Sequence, residues 1–310
     1  MENTKLNHPW LVAVWPGMGH VALNAGIYLL AKLKMNLIAE FAVNDLFDID
    51  HVEVKDGLIQ PAQRPRNRLF HWKDPKEKHD LVVFLGEAQP PIGKFSFCQR
   101  LIADAQRFGV ERVFTFAAMA TQMHPEHRSR LFGAAADAES LAELQRLEVE
   151  RLEDGHIGGL NGILIGAAAE AGLRGTCLLG EMPHIFSQVP YPKASLCILE
   201  AFTTIGRFDI DLGDLAEQAK VMDQQLGQLL ARVEQSLQQR GEEGYTAEAE
   251  GVEIPEPEAE ISPETQRIEE LFKAAADDRS KAFELKQELD RLGRFKEYED
   301  RFLDLFRKPS

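Results

Sequence analysis

Residues 152–185 read LEDGHIGGLNGILIGAAAEAGLRGTCLLGEMPHI, and their reading decides the fold. Gly155, Gly158 and Gly159 supply a loop open to backbone angles closed to residues with a Cβ. Asn161 or Gly162 then opens a short helix, Ile163 to Ala171, of small and apolar residues, and Gly172 and Gly175 stop it. Thr176–Leu179 reads as a buried strand, and Gly180-Glu181-Met182-Pro183-His184 as a polar turn after it. Loop, helix, turn and strand make half of an α/β unit, whose strand-end loops are the usual ligand-binding positions. The stretch is either a ligand site or a packing core, and its residues leave both open.

Upstream, apolar runs alternate with amphipathic ones. Trp10–Trp15 (WLVAVW) lies between Pro9 and Pro16 and reads as a strand buried on both faces. The turn Pro16-Gly17-Met18-Gly19-His20 leads into a helix over Val21–Lys34. Leu37–Val43 is a second strand, and His51–Lys55 with Leu58–Gln60 form a hairpin turning at Asp56-Gly57. After the basic loop Arg64–Arg68, Leu69–Trp72 reads as an edge strand. Leu81–Leu85 (LVVFL) is a further buried strand, Phe95–Phe108 a helix closed by Gly109, and Arg112–Ala117 the next strand. Met119–Arg128 reads as a polar loop, Arg130–Ala135 as a short strand, Ser140–Leu147 as a helix and Glu148–Leu152 as a strand. Pro192–Ile205 is a helix apolar nearly all round, hence buried. This alternation predicts an α/β fold, a largely parallel or mixed sheet with helices on both faces.

From Gly206 the chain changes character. Leu212, Leu215, Ala219, Met222, Leu226, Leu229 and Val233 recur at three-four spacing, a coiled-coil-like seam. Gly241–Pro263 is rich in Glu and Pro and has no Lys or Arg, which reads as a solvated linker. Ser262-Pro263-Glu264 starts another helix, with proline at its first position. Ile268, Leu271, Ala275, Ala282, Leu285, Leu289 and Leu292 give it a narrow seam, broken by Asp278, and Phe295–Phe306 continues as an amphipathic piece. The expected organisation is a core domain over 1–206, a long helix over 207–240, an acidic linker over 241–263 and a C-terminal helical segment over 264–310.

Composition sets the bounds. The chain of 310 residues is 44% hydrophobic and 27% charged, ordinary globular material. A net charge of −15 argues against a nucleic-acid surface, which needs clustered Lys and Arg. Met1–Pro9 is polar and lacks an apolar signal core, and no run of about 18 apolar residues occurs. No membrane span is expected, and the cytoplasm is the expected location. Cys98, Cys177 and Cys197 lie in apolar or amphipathic runs and read as buried reduced thiols.

Four groups of residues are candidates for chemistry. Gly17 and Gly19 sit between a strand and a helix, where backbone N–H groups can bind an anion. The P-loop pattern is absent and G-x-G-x-x-G fails at Ala22, so tight-turn geometry is the alternative. Gly159, Asn161 and Gly162 make a second candidate nest, with Asn161 as helix N-cap; capping and close packing are the alternative. Glu181 and His184 are the best acid/base pair in the chain, three residues apart around Pro183. Their alternative is a hydrogen-bonded pair that orders the turn. Glu87, His124 and His127 follow other strands and converge on the same rim if those strands are parallel. His124-x-x-His127 has no third ligand at an evident spacing, so no metal is expected.

Three blocks in order, Gly158-Gly159-Leu160-Asn161-Gly162, Gly180-Glu181-Met182-Pro183-His184 and Pro190-Tyr191-Pro192-Lys193-Ala194-Ser195, resemble the signature of the proteasome assembly chaperone 2 (PAC2) family. Pro16-Gly17-Met18-Gly19 and Asp45-Leu46-Phe47 are similar to its N-terminal blocks, and the resemblance covers about Trp10 to Leu237. It implies a three-layer α/β/α sandwich of the phosphorylase/hydrolase-like kind with an appended C-terminal helical region. It also implies no demonstrated catalysis in most members and a homo-oligomer, with a trimer favoured; with no P-loop spacing and no acids spaced as Mg-ATP ligands, no cofactor is expected. Eukaryotic and some archaeal members hold proteasome α-subunits during ring assembly, so the implied partner is a protein of the proteasome-subunit type. Archaeal members that engage the assembled proteasome carry a C-terminal hydrophobic-Tyr-any tripeptide. This chain ends Arg307-Lys308-Pro309-Ser310, with Pro309 at the tyrosine position, so docking by such a tail is not expected. The expected function is that of a non-catalytic oligomeric assembly chaperone or protein-interaction factor. The alternative is a nucleoside- or phosphate-binding protein, or an enzyme, on a phosphorylase-like scaffold.

Overall fold

The computed structural model describes residues 6–49, 52, 54–55, 57–240 and 263–307, with the backbone alone at 233–240 and 263. Trp10–Val14 (β1) is apolar throughout and buried on both faces, as a central strand with helices on either side requires. A 3₁₀ turn joins it to α1 (Val21–Lys32), which is buried on every side from Val21 to Ala31. Next come β2 (Asn36–Glu40), the hairpin strands β3 (Val54–Lys55) and β4 (Leu58–Ile59), β5 (Asn67–Trp72), β6 (Leu81–Gly86) and α2 (Lys94–Arg107). The body is completed by β7 (Arg112–Thr121), β8 (Leu131–Ala135), α3 (Ala138–Arg146), β9 (Glu150–Arg151), α4 (Gly159–Glu170), β10 (Arg174–Pro183) and α5 (Pro192–Gly206).

Eight strands form one mixed sheet in the order β2-β5-β6-β1-β7-β10-β8-β9. Its centre, β6-β1-β7-β10, is parallel, and β5 and β8 flank it antiparallel. The strand expected at an edge over Leu69–Trp72 is instead interior, because β2 pairs outside it. Side chains alternate between two cores. β10 sends Cys177 and Leu179 to the α2/α4 face with Phe97, Leu160 and Leu164. It sends Leu178 and Met182 to the α1/α5 face with Ile27, Ile198 and Phe202.

The sharpest departure from expectation lies in the deciding stretch itself. The helix starts at Gly159, ahead of Ile163, with Gly158 as its N-cap. The strand does not stop at Leu179. It runs to Pro183, because β7 on one side stays in register through Glu181↔Met119 and Pro183↔Thr121. On the other side Glu181 N–H still donates to Arg130 O at 2.9 Å. Of the residues read as a polar turn, Gly180–Pro183 are therefore strand, and His184 opens a 3₁₀ turn.

The C-terminal part packs outside α1 and α5. Helix α6 (Gly213–Arg240) lies along α5, burying Leu215, Ala219 and Leu226 of its seam and leaving Leu229 exposed. The linker expected over 241–263 lies, up to residue 262, outside the described residues. After it come α7 (Pro263–Asp277), α8 (Ala282–Arg291) and α9 (Phe295–Asp304). Asp278 breaks the seam as expected, accepting from Ser280 N–H at 3.1 Å. Phe283 of α8 meets Tyr28 of α1 edge-on at 4.6 Å. Phe306, just after α9, accepts from Leu37 N–H at 2.9 Å, occupying part of the open edge of β2. No described helix is long and apolar enough to cross a membrane. The three cysteines are free thiols; Cys98 and Cys177 are buried and Cys197 is half-buried.

Candidate functional site

Because β6, β1, β7 and β10 are parallel, their carboxyl ends share one rim, and α1 and α4 both start there, on opposite faces of the sheet. Every site residue read from the sequence lies on or near this rim. The details differ from what their spacing suggested.

Glu181 is 2% exposed and its carboxylate accepts four hydrogen bonds. Arg130 supplies Nη2 at 2.6 Å, Nε at 2.9 Å and its backbone N–H at 3.2 Å; Thr121 Oγ1 donates at 2.7 Å. The Arg130 guanidinium holds the carboxyl below its ordinary value; burial opposes this, and the Thr121 hydroxyl and Arg130 N–H add to it. A carboxyl held this way suits an anchor and not a base poised near neutral pH. His184 is exposed, with Nδ1 3.2 Å from Thr121 O. Thr121 thus stands between the two, and the bonds of Glu181 go to Arg130 and Thr121. Arg130 and Thr121 carry no local sequence signal, being 51 and 60 residues away from Glu181.

The two glycine turns are tied into the protein's own backbone. Gly19 has a φ of +58, its N–H donates to Ser187 O at 2.7 Å, and its carbonyl accepts from Tyr191 N–H at 2.8 Å. A Cβ there would lie 2.8 Å from Met182 Sδ, so both backbone angle and space require glycine. Gly17 is extended and has open space beside it. At α4, Asn161 is not the N-cap: it lies inside the first turn, its carbonyl accepts from Thr115 Oγ1 at 3.0 Å, and its buried Oδ1 has no hydrogen-bond partner. Gln89, from the loop after β6, accepts from Leu160 N–H at 3.2 Å in its stead, and fills the space over Gly159. A Cβ on Gly162 would lie 2.3 Å from Ile157 O, so this glycine is spent on close packing.

Glu87 is on the rim but far from Glu181. Two strands separate β6 from β10, which puts the two acids about 14 Å apart at ordinary strand spacing. Its carboxylate accepts from Arg66 N–H at 2.8 Å and from Arg68. Arg68 is 1% exposed and also binds Asp300 of α9, which Arg66 reaches at 2.9 Å. His124 and His127 sit with ring centres 5.6 Å apart on a loop pinned by Lys193, whose ammonium donates to Pro125 O at 2.6 Å and His127 O at 2.8 Å. Among the described residues no group of three or more His, Cys, Asp or Glu side chains is placed to hold a metal ion.

The same architecture occurs in known proteins. The model of the PAC2 family matches residues 11–230. An uncharacterized protein of Methanocaldococcus jannaschii is 26% identical over 222 residues, which cover 71% of this chain and 82% of that one. The crystal structure of PbaB from Pyrococcus furiosus, an archaeal proteasome activator, superposes with a TM-score of 0.62 at 25% identity, over 75% of this chain and 96% of that one. A PAC2 family protein from Streptomyces avermitilis superposes with a TM-score of 0.61 at 27% identity, over 71% and 95%. The match spans the parallel centre of the sheet, both glycine turns and the Glu181 strand, and on that ground the chain belongs to the PAC2 family.

Proposed function

We propose that this protein acts without catalysis, as an oligomeric assembly chaperone or protein-interaction factor, with a subunit of the proteasome type as its partner. The observation that carries this reading is the family match over 11–230, supported by the likeness to PbaB, itself a proteasome activator. The rim chemistry agrees with it: Glu181, Glu87 and the two glycine turns are engaged in bonds that hold strands and helices together.

A surface for such contacts is present elsewhere. The β3–β4 hairpin holds Val54, Leu58 and Ile59 at 65%, 69% and 73% exposure. A lone two-stranded hairpin is marginal in water, and clustered exposed apolar side chains mark a protein contact. In this reading the body over 1–206 carries recognition, the helical segment over 264–310 completes it, and the protein works in the cytoplasm as a homo-oligomer, a trimer by family resemblance.

Sedimentation velocity on the full chain, alone and mixed with proteasome α-subunits from the same cell, tests the proposal. The expected result is a discrete oligomer that binds α-subunits, with both contacts weakened in Leu58→Lys/Ile59→Lys. A monomer at every concentration that binds no α-subunit would overturn it.

A further inference from the structure

The opposite rim, at the amino ends of the parallel strands, carries chemistry that the family reading does not use. Trp10, Arg112 and Arg174 stand side by side there, because β1 and β10 both pair with β7 in register at Arg112. They border a cavity of about 480 Å³ that Lys78, His79 and Arg207 also line. The chain as a whole is strongly acidic, with a net charge of −15, so four Lys and Arg side chains around one cavity are out of keeping with it. Carboxylates match two of the four, Arg112 by Glu143 and Arg174 by Glu139, with Asp137 3.8 Å from Arg174, and leave Lys78 and Arg207 unmatched among the described residues. Glu111 is engaged by His8 at 2.6 Å, and Glu143 by Arg112 Nη2 at 2.6 Å.

Three features point to an anionic occupant. Arg112 is 2% exposed, with its guanidinium carbon 5.2 Å from the Trp10 ring and 4.5 Å from the Phe114 ring. Its Nη2 is satisfied by Glu143 and Thr176, but its buried Nε has no hydrogen-bond partner. A buried guanidinium N–H left unmet is costly, and this one belongs to a side chain that lines the cavity. Lys78 and Arg207 make no ion pair among the described residues, in contrast to Arg174, which Glu139 holds at 3.1 Å. Arg207 also has a φ of +53 at the end of α5, a left-handed position where glycine is the ordinary occupant. A long cationic side chain is kept there at a conformational cost.

We propose that this cavity binds the phosphate group of a small phosphorylated molecule, with Lys78 and Arg207 supplying charge and Arg112 a directed N–H. Several convergent cations, with arginine among them, are the donor set that a phosphate takes. The cavity is larger than a phosphate and within the ordinary range for small ligands. The surplus leaves room for an organic body beside His79, which stacks on Trp10 with ring centres 4.3 Å apart.

Isothermal titration of the full chain with inorganic phosphate, AMP and adenosine tests this. The expected result is saturable binding of phosphate and AMP at one shared site, weakening as salt rises, with adenosine far weaker. AMP tighter than phosphate is the expected order, and equal affinities would overturn the organic part of the proposal in favour of free phosphate. The exposed pair Lys78→Ala/Arg207→Ala should cut the affinity at least tenfold, as should Arg207→Gly, which relieves the backbone and leaves the fold intact. No heat from phosphate or AMP at about 10 mM, unchanged affinity in the paired variant, or adenosine binding as well as AMP would each overturn the proposal.

Discussion

At the scale of single residues, the deciding stretch is governed by close approach and by one ion pair. A Cβ on Gly180 would lie 2.5 Å from the carbonyl oxygen of Ala194, so α5 rests directly on the backbone of β10. The next residue, Glu181, points to the other face and locks β10 to Arg130 and Thr121. Its carboxyl lies below its ordinary value of 4.5 in the folded protein, so it contributes stability above that pH and loses it as pH falls toward the folded value. Glu181→Gln should therefore lower stability at neutral pH by about 1–3 kcal/mol. Urea denaturation from pH 7 downward checks this: the gap between wild type and variant should narrow below about 4.5. A gap that widens in acid would show that the carboxyl is not held ionised. The sequence singles out Glu181 and leaves a hydrogen-bonded role open to it, but pairs it with His184 and not with Arg130 and Thr121. Its partner Arg130 comes from the residue just before β8, and nothing local distinguishes an acid that will meet a guanidinium from one in a solvated turn. Asn161 shows the same limit, because Gln89, 71 residues away from Leu160, takes the capping bond.

At the scale of elements, the buried strands were plain in the sequence because WLVAVW and LVVFL are apolar on both faces, which only a covered central strand explains. The continuation of β10 was hidden for the converse reason: strand pairing with β7 overrides the turn-like composition of Gly180–Pro183, where the pairing with β8 already ends at Gly180. The seat of α8 was hidden as well. Lys286, a charged residue beside the seam positions Ala282, Leu285 and Leu289, is 1% exposed, donates to Asn24 Oδ1 at 3.2 Å, pairs with Asp290 and lies 4.1 Å from the Phe295 ring centre. Burial pushes its pKa down against the pull of Asp290. Such a pair is held by its two halves and not by net gain from water. Asp290→Ala should cost about 3–5 kcal/mol by leaving the buried ammonium without its carboxylate, whereas Lys286→Met/Asp290→Ala together should recover most of it. Chemical denaturation of both variants checks the order; equal losses would mean that α8 is held by its apolar face alone.

At the scale of the whole molecule, the sequence reads as an α/β body with helices added after it, and the family match also stops at residue 230. Packing ties the added C-terminal helices to the body. Phe272, Phe283, Leu289, Phe302 and Phe306 lie in the same core as Ile27, Phe70 and Val83, and Phe70 meets Phe306 edge-on with ring centres 6.1 Å apart. Charge makes the same connection, since Asp300 binds the buried Arg68 of β5. Each large apolar side chain removed from this core forfeits about 1.5–3 kcal/mol, against a total stability for an ordinary domain of about 5–15 kcal/mol. A chain ending at Arg240 should therefore lose its fixed core even though it retains every residue matched by the family model. The expected sample keeps far-UV helix and strand signals, loses near-UV aromatic dichroism and binds ANS. Adding the 263–310 segment as a separate peptide should restore a cooperative melt, because its contacts with the body are specific in shape and charge. A truncated chain that melts cooperatively at the full-length temperature would instead mark the helices after residue 263 as an independent appendage, and the chain up to Arg240 as self-sufficient.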